Sequence, residues 1–240
     1  MNEMRYDGVC PICETRVTFA ACSDWYRDTL LCTSCEGGSL PRERALALAL
    51  ADACPDWRGR RIHESSPMMR GISLKLQRQA PGYLPTHFFP DTAPGAIVNG
   101  VRCENLEAMT FADASFDLVI TQDVMEHVRD PRRVIKEIHR TLVPSGVYLC
   151  CFPVRKHQAA AMERRCEFLP DGTRVDFKDP EIHGNPVDQT GSIVTVDWGY
   201  DLHQLFAECG PFDVRVARFA DRTHGVLGEY TDVVTCRKPR

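Results

Sequence analysis

Residues 101–153 read VRCENLEAMTFADASFDLVITQDVMEHVRDPRRVIKEIHRTLVPSGVYLCCFP, and the class of fold is legible in them. Phe116, Asp117, Leu118, Val119 and Ile120 form a short, nearly continuous apolar run, as a parallel strand buried on both faces requires. Asp130 and Pro131 make a helix start, an acceptor at the cap and a proline in the first turn. Val134, Ile135, Ile138 and Leu142 then recur at helical spacing. The helix must end before Pro144, and Gly146 opens a second apolar strand over 147–152. Strand, helix, strand implies a right-handed parallel crossover. Sheets of this kind bind ligands outside the carboxyl ends of their strands, which puts Gln122, Asp123 and residues 151–153 at a binding mouth.

Several pieces of this block occur in a recognisable order. Glu104-Asn105-Leu106 precedes Phe111-Ala112-Asp113-Ala114-Ser115-Phe116-Asp117, then the strand, then Gln122-Asp123-Val124-Met125-Glu126-His127-Val128, then Leu142-Val143-Pro144-Ser145-Gly146-Val147. Together they resemble the central block of class I S-adenosylmethionine (SAM) dependent methyltransferases, the small-molecule type with a D-x-x-E-H-V signature. The resemblance implies a Rossmann-like α/β sheet with helices on both faces. It implies SAM as cofactor, with Glu104, Asn105, Leu106, Gln122, Asp123 and Val124 among the residues that hold it. Asp91, after a strand over 83–89, matches the acid that faces the ribose hydroxyls. Glu64 matches the acid of the family's first strand-to-helix turn, with Ser65 and Ser66 beside it.

At that turn the chain departs from the family. The sequence Ile62-His63-Glu64-Ser65-Ser66-Pro67 carries no G-x-G-x-x-G, and Gly71 is the first glycine after it. Glycines there let backbone approach the cofactor. A group of methyltransferase-like proteins is similar in this substitution and in a leading cysteine module. A helix is expected over 68–79, with Ile72 and Leu76 on one side. Proline-rich sequence takes the place of a helix after the second strand.

The leading module is read from spacing alone. Cys10-Pro11-Ile12-Cys13 and Cys32-Thr33-Ser34-Cys35 form C-x2-C-x18-C-x2-C, the pattern of a four-thiolate zinc site. The insert is expected to fold as a hairpin that brings the second turn beside the first. Val9, Phe19, Trp25, Tyr26 and Leu30 supply little apolar surface, so the metal, Zn2+ held by Cys10, Cys13, Cys32 and Cys35, would be structural. Cys22 has no C-x2-C partner. The other reading is a set of unrelated buried or redox cysteines.

Residues 41–53, PRERALALALADA, form a helix of high propensity with Ser39 placed to cap it. We therefore divide the chain into a zinc-binding module (1–40), a linking helix (41–58) and a methyltransferase-like domain (59–240). Residues 154–200 show little periodicity, and a connection of that length is usually functional. His183, in a turn bounded by glycine and proline, is a candidate catalytic or substrate-contacting residue. So is His127, on the helix expected after the fourth strand. Each also has a plain structural reading, His127 as a cap or core group and His183 as a solvated loop residue. A helix over 201–209 and two antiparallel strands over 212–219 and 231–237 would close the sheet.

Net charge is −4 and the pI is near 6.1. Proteins that neutralise phosphates usually carry a basic excess, so nucleic acid is not the expected partner. No run of about 18 apolar residues marks a membrane span, and the first residues lack a secretory pattern, so the expected location is the cytoplasm. The expected activity is SAM-dependent methyl transfer to a small molecule or biosynthetic intermediate. RNA methylation, or a non-catalytic binding protein on the same fold, are the alternatives. Oligomeric state is not legible.

Overall fold

The computed structural model describes residues 4–154, 160–187 and 190–240. The chain opens with strands β1 (Met4–Cys10) and β2 (Thr15–Ala21), a single helical turn α1 (Tyr26–Thr29) and strand β3 (Leu31–Cys32). They form a three-stranded antiparallel sheet in the order β1-β2-β3. The hairpin therefore begins before the cysteines, and the first C-x2-C pair sits on its turn rather than at the foot of a hairpin made by the insert. Helix α2 (Pro41–Ala53) follows, then β4 (Ile62–Ser65), α3 (Gly71–Gln79), β5 (Tyr83–His87), β6 (Ile97–Val98), β7 (Val101–Cys103), β8 (Phe116–Gln122), α4 (Pro131–Thr141) and β9 (Leu142–Cys151). Six short strands occupy the long segment: β10 (Glu163–Arg164), β11 (Cys166–Phe168), β12 (Arg174–Asp176), β13 (Ile182–His183), β14 (Ser192–Ile193) and β15 (Val196–Asp197). Helix α5 (Leu202–Cys209), β16 (Asp213–Arg218) and β17 (Asp232–Arg237) complete the chain. Residues 155–159 and 188–189 of the long segment lie outside the described residues.

The main sheet has eight strands in the order β16-β17-β9-β8-β4-β5-β7-β6. β9, β8, β4, β5 and β7 run parallel to one another, β6 runs antiparallel to β7, and β17 runs antiparallel to both β9 and β16. β16 and β17 are the antiparallel closing pair that the sequence reading expected, with β17 inserted between β9 and β16.

Alternation along the strands sorts the core into two layers, because successive side chains point to opposite faces. Leu118, Ile120, Leu149 and Cys151 join Ile62, Leu46, Leu50, Ile72 and Leu76 beneath α2 and α3. Val119, Tyr148, Cys150 and Phe152 join Val134, Ile135, Ile138, Leu205 and Phe206 beneath α4 and α5. The first layer also contains Cys10, Val17, Phe19 and Leu30, so the N-terminal sheet shares its apolar interior with the main domain.

Local chemistry fixes the helix starts. Asp130 accepts from the backbone N–H groups of Arg132 and Arg133, and Pro131 opens α4. At α2 the cap is not Ser39. Leu40 holds that position, and its N–H donates to Glu43 Oε2 at 2.7 Å. Ser39 is buried instead beside Arg44 and the Cys10 sulfur. Arg44 itself is fully buried and donates to the carbonyls of Ser39, Leu30 and Gly225. Its guanidinium lies 4.7 Å from the Phe19 ring centre. One side chain of α2 thereby ties the N-terminal sheet to the loop before β17. Among the described residues no helix is long and apolar enough to cross a membrane.

Candidate active site at the mouth of the sheet

The carboxyl ends of β4, β5, β7, β8 and β9 open on one side, as parallel strands with crossover helices dictate. At the end of β4, Glu64 is fully buried. Its carboxylate accepts from Ser73 Oγ at 2.7 Å, Tyr83 Oη at 2.6 Å and Gln122 Nε2 at 2.7 Å. Burial pushes this carboxyl up, against the pull of the three donors. Glu64 and Gln122 thus lock β4, α3 and β8 together, with their polar groups already engaged. Ser65 is buried and Ser66 half-buried in the turn that follows. Gly71, the first glycine, does have a left-handed φ of +55°, but a Cβ there would meet Glu43 Oε2 at 2.6 Å. Its freedom serves close packing on α2, not approach to a ligand.

Further along the mouth, Asp91 is exposed in the turn after β5. Glu104 is buried at the end of β7, accepting from Arg102 Nε at 2.8 Å and from the Thr110 N–H at 2.9 Å. Asn105 Oδ1 turns the chain by accepting from the Glu107 N–H at 2.9 Å, and Leu106 is buried.

Asp123, just past β8, has a φ of +49° and donates its N–H to the Cys151 carbonyl at 2.8 Å. One of its carboxylate oxygens pairs with Arg27 Nη2 and the other with Arg42 Nε, both at 2.6 Å. Burial alone would push this carboxyl up. The guanidiniums of Arg27 and Arg42 overcome that and hold it below the usual range. These two arginines, one from α1 and one from α2, went unremarked in the sequence, because only the fold brings them to Asp123.

Val124 to Val128 form a turn, not the helix expected there. The turn is gripped by the long segment. Thr195 donates its N–H to the Glu126 carbonyl at 2.7 Å, and Trp198 Nε1 donates to the Met125 carbonyl at 3.1 Å. His127 Nδ1 donates to the Ile193 carbonyl at 2.9 Å. Ile193 pairs with Ile182 across the β13–β14 hairpin, and that hairpin delivers His183 to the same spot. The His127 and His183 rings stand edge to face with centres 5.1 Å apart. Between them lies Glu126, 2% exposed, with neither carboxyl oxygen hydrogen-bonded among the described residues. Burial and then the Asp123 charge push its carboxyl up to about 8. Burial lowers His127. The structure therefore brings the two sequence-derived histidines together, 56 positions apart in the chain, and adds Glu126. The signal for Glu126 was its place beside His127 in the quoted motif.

In the N-terminal sheet the four thiols of Cys10, Cys13, Cys32 and Cys35 lie within 4.8 Å of one another. Cys10 Sγ is 3.6 Å from Cys35 Sγ, and Cys13 Sγ is 3.9 Å from Cys32 Sγ. A tetrahedron with metal–sulfur bonds of about 2.3 Å has edges of about 3.8 Å, so the sulfur arrangement fits such an ion. Cys22 is exposed and apart from the cluster.

A family model described as "Methyltransferase domain" matches residues 87–150, which run from the end of β5 to the end of β9. Solved structures with the same architecture include SAM-dependent methyltransferases from Mesorhizobium loti and Listeria monocytogenes. The first has a TM-score of 0.52 at 17% identity, over 81% of this chain and 98% of that one. The second has a TM-score of 0.53 at 12% identity, over 85% and 100%. The chain has the class I methyltransferase fold. Curated relatives point the same way. A ubiquinone biosynthesis O-methyltransferase of Ruegeria pomeroyi is 31% identical over 115 residues, and one of Cereibacter sphaeroides is 28% identical over 155. Those alignments take in 45% and 58% of this chain, and the chain spans about half the length of these relatives, 46% and 62%. Within the methyltransferase fold, the 87–150 match falls on the strands whose ends line the mouth.

Proposed function

We propose that the chain is a SAM-dependent methyltransferase acting on a small-molecule acceptor. The observation that carries this reading is the position of the family match, which begins at the end of β5 and covers the mouth through β9. The residues there fit the nucleoside half of the cofactor. Asp91 is exposed and ready to accept from ribose hydroxyls, and Asn105 and Leu106 form a turn with one apolar side chain beneath it. For the amino-acid half, Ser65, Ser66, Gln122, Asp123 and Val124 take the place of a glycine cradle, with Glu64 fixing the strand ends from below. When bound, SAM supplies a methyl group already activated on a sulfonium, so the protein's task is to orient the acceptor and exclude water. His127 and His183 stand at the rim, where a hydroxyl or ammonium acceptor would need its proton taken.

The Cys10, Cys13, Cys32 and Cys35 cluster is assigned in this reading to structural Zn2+. Four thiolates fill a tetrahedral ion and leave no place for substrate. All twelve cysteines are free thiols, which suits a reducing compartment such as the cytoplasm.

One observation favours a second reading. The Ser65-Ser66-Pro67 turn offers no glycine, and the Asp123 carboxylate is already shared by Arg27 and Arg42, as suits a fold kept for binding without methyl transfer. Calorimetric titration of the zinc-loaded protein with S-adenosylhomocysteine separates the two. Methyl transfer requires binding, weakened about tenfold by Asp91→Ala, the worth of a hydrogen bond of about 1.4 kcal/mol. Absence of binding to the folded, metallated protein would leave the second reading.

A further inference from the structure

We propose that Glu126, His127 and His183 hold a divalent transition-metal ion at the mouth of the sheet, separate from the cysteine cluster. The argument begins with protons. A carbonyl only accepts, so the 2.9 Å bond from His127 Nδ1 to the Ile193 carbonyl puts the ring proton on Nδ1. Nε2 then presents its lone pair, and it faces Glu126 Oε1 at 3.8 Å. His183 is tied in the opposite sense. Its Nε2 lies 2.9 Å from Glu181 Oε1 and donates to it, which leaves the Nδ1 lone pair facing Glu126 Oε1 at 3.9 Å. Two ring lone pairs and the Glu126 carboxyl thus converge. Both carboxyl oxygens are buried and, among the described residues, have no hydrogen-bond partner. Such an arrangement suits a cation, which would take the place of the carboxyl proton and pair the buried carboxylate.

The surroundings are those of a ligand set. A metal-bound histidine donates its other ring N–H to a backbone carbonyl or a carboxylate, and here one histidine does each. The three ligand atoms lie within 4.8 Å of one another. Around an ion with bonds of about 2.0–2.1 Å, ligand atoms in tetrahedral positions stand about 3.3–3.4 Å apart. Closing the two gaps to Glu126 takes about half an ångström each, and the two ring nitrogens approach each other in the same movement, which His183, 34% exposed on a short hairpin, can supply. Asp123 is not part of the set, because Arg27 and Arg42 engage both of its oxygens. Two imidazoles and one carboxylate leave coordination positions open toward solvent, unlike the four-cysteine cluster. The positions left open would accept an oxygen donor such as an acceptor hydroxyl, a consequence that rests on the methyltransferase reading. Metal binding itself does not.

The test is zinc stoichiometry by equilibrium dialysis and elemental analysis. The wild-type chain should take up two zinc ions. Glu126→Gln and His183→Ala should each take up one, with circular dichroism and thermal midpoint in the absence of added metal close to wild type. Cys13→Ser should lose the other ion and keep this one. Mn2+, which avoids thiolates, should bind the zinc-deficient mouth with one equivalent in the wild type and none in Glu126→Gln, read by loss of the free-ion electron paramagnetic signal. One zinc per chain in the wild type and in both mouth variants, with no Mn2+ uptake, overturns the proposal. That result would leave the S-adenosylhomocysteine titration untouched, so the two readings fail separately.

Discussion

Asp123 shows how much a single side chain is asked to do. Its backbone takes a left-handed φ and bonds to β9, while its carboxylate joins α1 and α2 to the strand end. Breaking a buried ion pair by removing one partner costs about 3–5 kcal/mol. Asp123 keeps its second arginine and is 27% exposed, so Arg42→Ala should cost less, about 1–2 kcal/mol. The pH dependence has a definite sign. The folded-state pKa of Asp123 is depressed, so its contribution is complete above the unfolded value of about 3.9 and is lost as pH falls through the lowered folded value. Urea unfolding of wild type and Arg42→Ala should therefore differ at pH 7 and converge at acid pH, below the lowered folded value. A gap of equal size at both would assign the loss to packing of the arginine stem. The acid was legible in the sequence as a strand-end residue. Its partners were not, since Arg27 lies 96 positions away and nothing local marks it.

Among the elements, α2 carries the most. Its composition implies high propensity and a linking role, yet its buried positions include Glu43 and Arg44 beside the alanines and leucines, so it is enclosed on more than one side. A periodicity argument finds one apolar face and cannot see that the polar face is covered too. Arg44→Ala would strip the donor from the carbonyls of Leu30, Ser39 and Gly225. At about 1–3 kcal/mol for each buried group left unpaired, the variant should lose at least about 3 kcal/mol in chemical denaturation. A loss below about 1 kcal/mol would mean that water replaces the guanidinium. The β13–β14 hairpin makes the contrasting case. Its strands are two residues each, too short for any pattern to announce, and yet they carry His183 to Glu126. For the long, aperiodic segment, length was the signal the sequence offered.

At the scale of the molecule, the boundary drawn near residue 40 meets a continuous interior. Phe19 and Leu30 of the N-terminal sheet lie in the same apolar layer as Leu118 and Leu149 of the main sheet. The Val9 N–H donates to the Thr223 carbonyl at 2.8 Å, and a Cβ on Gly225 would strike the Phe19 ring at 2.6 Å. C-x2-C spacing points to a four-cysteine cluster but carries no information about what its hairpin packs on, so this union was invisible in the sequence. It has a measurable consequence. Four thiolates fold a small module only when the ion is present. If the module also closes the layer beneath α2, losing the ion must weaken the whole chain, because cooperative domains share one transition. Cys35→Ser should shift a single calorimetric transition downward, with far-ultraviolet and near-ultraviolet signals melting together. An independent module would instead split the melt in two, leaving the main sheet's transition at its wild-type temperature, and that outcome would contradict the shared core. Because Arg27 reaches Asp123 from the N-terminal unit, the same variant should also weaken S-adenosylhomocysteine binding at the mouth by loosening Asp123, while Glu126, His127 and His183, held by the β13–β14 hairpin and not by Arg27, keep their ion.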